Sequence, residues 1–143
     1  MKKVICLIAV ALMVASVVLA APKVPMTAKD LPGLKGTWEG ILSFGKFDGG
    51  TSPAKLEILT DTVPVKAKLT VTNIPQQLAS QVGLQAGQNV YEGEGVLTTQ
   101  GTLMFMGPQK NFFVVGLISK EKINIMYMYN VLSGDGDFSK KKK

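Results

Sequence analysis

The stretch from Val63 to Asn73, with the sequence VPVKAKLTVTN, alternates between two kinds of side chain along its whole length. The residues on one face are a proline, two lysines and two threonines. The other face is apolar and carries Val63, Val65, Ala67, Leu69 and Val71. This period of two predicts a β-strand with one dry and one wet face, which is typical of an antiparallel sheet or a barrel wall.

Strand-like runs of this kind recur along the chain, separated by short segments of glycine and polar residues. We count seven or eight such runs, with short connections and without the spacing that a βαβ unit needs. The predicted fold is therefore all-β, an antiparallel up-and-down barrel. Closing the sheet removes the exposed edges that would otherwise pair with other chains. A compact sandwich is the alternative that the same pattern allows.

One segment interrupts the β pattern. The sequence PQQLASQVG runs from Pro75, which suits the first turn of a helix, to Gly83, which suits its end. Between them, Leu78 and Val82 are four residues apart and would share one helix face. We therefore predict one short helix near residues 75–83, lying over an end of the barrel.

The N-terminus resembles a bacterial export signal. Lys2 and Lys3 precede an apolar stretch, and a small-x-small pattern ends at Ala20. These features predict a Sec-type signal peptide over residues 1–20, cleaved after Ala20, and hence a periplasmic or extracellular protein. Retention of the segment as a membrane anchor is the alternative, because Val4–Ala21 approaches the roughly 20 residues that span a bilayer. After cleavage we expect no stable membrane insertion.

The remaining chain divides into three parts. Residues 21–33 carry three prolines and no period, which predicts an extended lead-in. Residues 34–139 form a single β-barrel domain. Residues 140–143 are all lysine and form a tail.

Composition removes several classes of chemistry. The only cysteine, Cys6, lies in the predicted signal peptide, and the chain has no histidine. The exported protein would therefore lack disulfides, thiolate zinc sites, cysteine nucleophiles and imidazole-based catalysis. All sixteen basic residues are lysines, so the bidentate arginine contacts of nucleic-acid recognition are also missing. We expect a non-catalytic protein without a cofactor or metal and without a nucleic-acid partner.

The sequence Gly36-Thr37-Trp38 at the start of the first long strand resembles the calycin barrels, which include lipocalins and avidins. The meander of strands resembles them as well. This resemblance implies that the tryptophan closes one barrel end and that the other end opens to a small molecule. The chain departs from lipocalins in two ways. It lacks their C-terminal helix, and a lysine such as Lys140 must replace the arginine that packs across the tryptophan.

The predicted ligand is a small apolar or amphipathic molecule held between strands rich in methionine and aromatic residues. Methionine suits such adaptable apolar pockets, although it also fills cores, and paired thioethers suit soft Cu(I). A structural or adaptor protein of the envelope, with a packed core and no cavity, is the alternative function. The residues predicted to line the ligand site are Leu42, Phe44, Met104, Met106, Met126, Tyr127 and Met128.

Glu92 and Glu94 lie two residues apart and share one strand face. Two carboxylates about 7 Å apart could act as acid and base, or hold a hard cation. The simpler interpretation is that both face water, opposite lysines on a neighbouring strand.

We expect the exported protein to begin at Ala21. Intact-mass spectrometry of the product of the full gene, recovered from bacterial periplasm or medium, measures this directly. A product with the mass of the full chain, found in the membrane fraction, would show instead that residues 1–20 are kept as an anchor.

Overall fold

The computed structural model describes residues 23–44, 50–107, 111–129 and 132–142, so the predicted signal peptide lies outside the described residues. No helix in these ranges is long and apolar enough to cross a membrane. The described residues form eight strands: β1 (Gly36–Phe44), β2 (Gly50–Ile58), β3 (Val65–Ile74), β4 (Gly87–Leu97), β5 (Leu103–Met106), β6 (Asn111–Ser119), β7 (Lys122–Tyr129) and β8 (Leu132–Lys140).

Each strand pairs antiparallel with its neighbours in chain order, and β8 returns to pair with β1, which closes the barrel. The predicted all-β up-and-down barrel is confirmed, with eight strands. The alternation along β3 places most side chains as predicted, because Val65, Ala67, Leu69 and Val71 are at most 2% exposed. Two residues differ from the prediction: Val63 precedes the strand and is 53% exposed, and Thr70 of the polar face is buried. They join the inward side chains of the other strands in one contiguous apolar core.

The lead-in, predicted to be extended over residues 21–33, is helical near its end. A 3-10 turn at Ala28–Asp30 runs into a short helix, α1 (Leu31–Leu34), just before β1. The carboxylate of Asp30 accepts hydrogen bonds from the backbone N–H and the hydroxyl of Thr27, at 2.7 and 2.9 Å. These local bonds start the turn, and the two buried leucines of α1 hold it against the core. The proline in the first turn of α1 is tolerated because no intrahelical N–H is needed there.

The second helix, α2 (Gln76–Val82), confirms the predicted helix near residues 75–83. Its buried residues Leu78, Ala79 and Val82 belong to the barrel core, so the helix packs over one barrel end. The helix stops at Gly83, whose φ of 77° is left-handed and favours glycine.

Trp38 closes the opposite end, which we call the closed end. The ring is fully buried, and its Nε1–H donates a hydrogen bond of 2.8 Å to the carbonyl of Leu34. Nζ of Lys140 lies 5.4 Å from the centre of the ring and donates to the carbonyl of Gly33. The expectation that Lys140 packs across the tryptophan is confirmed. Lys140 is accordingly the last residue of β8 and not part of a tail.

The segment before α1 is also built into the closed end. The N–H of Val24 donates to the carbonyl of Leu117 at 2.7 Å, and the N–H of Met26 donates to that of Gly101 at 2.8 Å. Met26 is only 3% exposed. The sequence pattern predicts that the domain starts at residue 34, but the packed domain begins upstream of that residue.

Glycines on the inner face leave room for aromatic rings from neighbouring strands. At each of these glycines a Cβ would overlap the facing ring, so the space is already occupied. Such glycine–aromatic pairs recover apolar burial that a glycine cannot supply itself. Three rings pack in this way: Phe105 over Gly95, Phe44 over Gly134 and Phe138 over Gly40.

We expect Gly95→Ala to lower the free energy of unfolding by about 1–3 kcal/mol, the usual cost of overpacking a core. The Phe105 ring has little room to move, because it is fully buried and stacked on Phe113 with ring centres 4.7 Å apart. Gly33→Ala is the matched control, since nothing lies within 4 Å of a Cβ at that position. Chemical denaturation measures both variants, and equal stabilities would contradict the packing described here.

Candidate functional site

The structure does not bring the seven predicted ligand residues together. Leu42, Phe44 and Tyr127 point into the barrel and are at most 1% exposed. The methionines at 104, 106, 126 and 128 lie on the outer face. Successive residues of a strand point to opposite faces, so Tyr127 cannot share an interior pocket with the methionines on either side of it.

The methionines belong to an apolar patch on the outside of the barrel. Met106 is 68% exposed, Val96 50% and Met126 41%. In the strand register Val114 lies between Met104 and Met126, so these two methionines are two strands, or about 10 Å, apart. We call this surface the methionine wall, and it consists of Val96, Met104, Met106, Phe112, Val114, Met126 and Met128.

A pocket of about 550 Å³ lies at the end opposite Trp38, which we call the mouth. The loop that follows α2 forms one side of the pocket. The first half of β4, the first residue of β6 and the last residue of β7 form the other side. The side chain of Asn89 fixes the loop, because its amide donates to the carbonyl of Gln85 at 2.7 Å and its Oδ1 accepts from the N–H of Gln85 at 3.3 Å. The volume of the pocket is within the usual range for small-molecule sites. The residues that line it include Leu84, Gln88, Asn89, Tyr91, Asn111 and Tyr129.

Two tyrosines, Tyr91 and Tyr129, line this pocket, and Tyr127 packs behind them in the core. The ring centre of Tyr91 is 5.1 Å from that of Tyr127 and 6.4 Å from that of Tyr129. Burial raises the pKa of Tyr91 above the ordinary tyrosine value and that of Tyr127 well above it, so both hydroxyls stay protonated at neutral pH.

Several polar atoms near the mouth are buried without a hydrogen-bond partner among the described residues. They include the hydroxyls of Tyr91 and Tyr127 and the Oδ1 of Asn111. A buried polar group without a partner costs about 1–3 kcal/mol. Tyr91 and Asn111 line the pocket, so a polar group of a bound molecule at the mouth could meet the Tyr91 hydroxyl or the Oδ1 of Asn111 and relieve that cost.

Sequence reasoning missed Tyr91 and Asn111 as pocket residues. The pattern YEGEG drew attention to the glutamates, whereas the opposite face of the same strand carries Tyr91 with two glycines. The two small residues leave the tyrosine as the one large inward side chain in that part of β4. The alternation therefore contained the signal, but on the other face.

Glu92 and Glu94 are exposed on the outer face of β4. In the strand register Glu92 lies opposite Lys68 and Glu94 opposite Lys66 of β3. This is the arrangement that the simpler interpretation of the two carboxylates predicts. Within the described ranges, no group of three or more histidine, cysteine, aspartate or glutamate residues could hold a metal ion.

Known proteins resemble this chain in fold. A de novo designed fluorescence-activating β-barrel is similar with a TM-score of 0.54 and 10% sequence identity, over 78% of this chain and 97% of the designed one. A redesigned β-barrel is similar with a TM-score of 0.54 and 13% identity, over 82% and 99% of the two chains. No family model and no curated protein matches the sequence. At these identities the similarity shows the eight-stranded barrel fold alone.

The raised tyrosine pKa values predict a loss of stability at high pH. Above about pH 10 the unfolded chain releases protons from Tyr91 and Tyr127 more readily than the folded protein does, so the unfolded state is favoured. For Tyr127 the loss of stability should approach about 1.4 kcal/mol per pH unit in that range, and for Tyr91 it should be smaller. The free energy of unfolding of wild type and of a Tyr91→Phe/Tyr127→Phe variant, measured from pH 8 to about pH 11, tests this. Parallel curves would contradict burial of the two hydroxyls.

Proposed function

We propose that this chain is an exported, non-catalytic barrel that binds a small amphipathic molecule at its mouth. The observation that carries the proposal is the pocket of about 550 Å³ beside buried tyrosine hydroxyls that lack a partner among the described residues. Small-molecule sites commonly combine apolar walls with a few well-placed polar groups. The fold is shared with a barrel designed to activate fluorescence, which supports the view that this architecture suits small-molecule functions.

The ligand in this proposal has an apolar body and one hydrogen-bonding group. Leu84 and the rings of Tyr91 and Tyr129 offer apolar contact, and the two glutamines of the pocket stand at its rim. Because the hydroxyl of Tyr91 is protonated, it can donate to a carbonyl or hydroxyl oxygen of the ligand. The closed end, with its buried tryptophan and the lysine above it, supports a calycin-like arrangement in which ligand enters from the other end.

A second function is favoured by the methionine wall. Exposed apolar patches on small proteins commonly mark contact with a partner, and this patch covers four adjacent strands. The alternative proposal is therefore an adaptor of the cell envelope, bound to another protein through this wall. The periplasmic or extracellular location remains part of both proposals and rests on the apolar N-terminal segment.

Native mass spectrometry of the protein purified from its own envelope tests both functions. We expect a small-molecule adduct on the wild type, and Tyr91→Phe should weaken its binding about fivefold, because one hydrogen bond contributes roughly 1 kcal/mol. Ser139→Ala is the control, since it removes an exposed hydroxyl of β8 near the closed end. A bound protein instead of an adduct, lost in Met106→Glu, would favour the adaptor. Equal adduct binding by Tyr91→Phe and wild type would contradict the mouth as the site.

A further inference from the structure

Positive charge is concentrated at the closed end of the barrel. Lys120 lies in the turn that joins β6 to β7, and Lys122 is the first residue of β7. Three further lysines, at and just after the end of β8, lie beside that turn. The N–H of Lys140 donates to the carbonyl of Glu121 at 3.0 Å, which fixes this proximity. We call this surface the closed-end lysine cluster, and it consists of Lys35, Lys120, Lys122, Lys140, Lys141 and Lys142.

Few acidic groups offset these charges. Lys141 forms an ion pair of 2.9 Å with Glu39, and Glu121 lies in the turn, so the described part of the cluster keeps a clear positive excess. Residues 75–86, beside the mouth, carry no charged side chain at all. Charge is therefore distributed unevenly along the barrel axis, with a basic closed end and an uncharged loop beside the mouth.

The cluster surrounds a hollow of about 770 Å³. Its lining consists of four of the lysines together with Gly36, Thr37 and one acidic residue, Glu121. Lysine is a flexible point charge that suits phosphate without demanding one fixed geometry. A hollow of this size, with several lysines around it, fits a phosphate-bearing head group.

The N-terminal segment predicted to enter a bilayer joins the described chain at the same end of the barrel. The apolar stretch Val4–Ala21 leads directly to Lys23, and at most about 7 Å of chain separates Ala21 from it. The stem of Lys23 packs over Gly116, where a Cβ would lie 3.0 Å from its Cδ, next to the bridge between Val24 and Leu117. While the apolar stretch is in a bilayer, the chain therefore enters the barrel on the side of the lysine cluster.

We propose that the closed-end lysine cluster binds the surface of an anionic phospholipid bilayer, with the mouth directed away from it. Juxtamembrane lysines are attracted to anionic lipid surfaces, each contributing about fivefold to partitioning. The surface persists after removal of residues 1–20, so the protein stays at the membrane without an inserted segment. This location is independent of whether the mouth binds a ligand.

The test compares two triple variants with the same change in charge. Lys35→Gln/Lys120→Gln/Lys122→Gln alters the closed end and leaves Lys140 on Trp38 and Lys141 on Glu39. Lys55→Gln/Lys66→Gln/Lys68→Gln alters exposed or half-buried lysines on the outer face of β2 and β3. Each protein is made from the full gene, its N-terminus is determined by intact mass, and it is floated with phosphatidylglycerol or phosphatidylcholine vesicles.

We expect wild type and the β2–β3 variant to float with phosphatidylglycerol vesicles, and the closed-end variant to lose at least tenfold in partitioning. Where residues 1–20 are retained and cause flotation with both lipids, acetylation of lysines is the readout. Phosphatidylglycerol should then protect Lys35, Lys120 and Lys122 more than Lys55, Lys66 and Lys68, and phosphatidylcholine should not. Equal losses of partitioning in the two variants, or equal protection of the two sets of lysines, would overturn the proposal. Release of the bound wild-type protein by a low concentration of free phosphate would overturn it as well, because free phosphate would then compete as well as the lipid surface does.

Discussion

Closure of β8 onto β1 is the constraint on which the rest of this structure depends. The two strands must approach closely, and at Gly136 a side chain would collide with the backbone of Ile41. Gly40 faces the backbone of Asp137 and the ring of Phe138 in the same way. Glycine at these two positions lets the first and last strands form their ladder. Without that ladder, β1 and β8 would present unpaired edges, and the apolar inner faces of all eight strands would lose their enclosure.

The closure also organises the end that Trp38 occupies. Because Trp38 and Lys140 are partners in the β1–β8 register, pairing of the strands places the ammonium group across the indole ring. The same lysine reaches back to α1, and the indole N–H binds the last residue of that helix. The pairing of Trp38 with Lys140 thus joins the first strand, the last strand and the helix that precedes the barrel.

The architecture could be predicted because alternation determines both strand and face where one side is polar. In β3 the lysines and threonines identify the outside, so the inside follows. The ligand residues could not be predicted in the same way, because β6 and β7 are apolar on both faces and alternation does not say which face is inside. Their orientation depends on pairing with β5 and through it with β4, whose inward glycines accommodate the Phe105 ring. The helical turn before β1 escaped prediction because it rests on Thr27 and Asp30 and on burial of two leucines, against the signal of three prolines.

The glycine–aromatic pairs have a consequence for how this barrel could change. Beyond Tyr91, β4 presents only Gly93 and Gly95 to the middle of the interior, so that part of the barrel is filled by rings that other strands supply. Shortening the Phe105 side chain would leave an unfilled volume beside a wall that has no side chains of its own to close it. That volume would lie deeper in the barrel than the mouth pocket, because Gly95 is four residues, or about 13 Å, along β4 from Tyr91. The interior of this barrel is therefore least fixed by its own side chains along β4, which makes that strand the natural starting point for redesigning the interior.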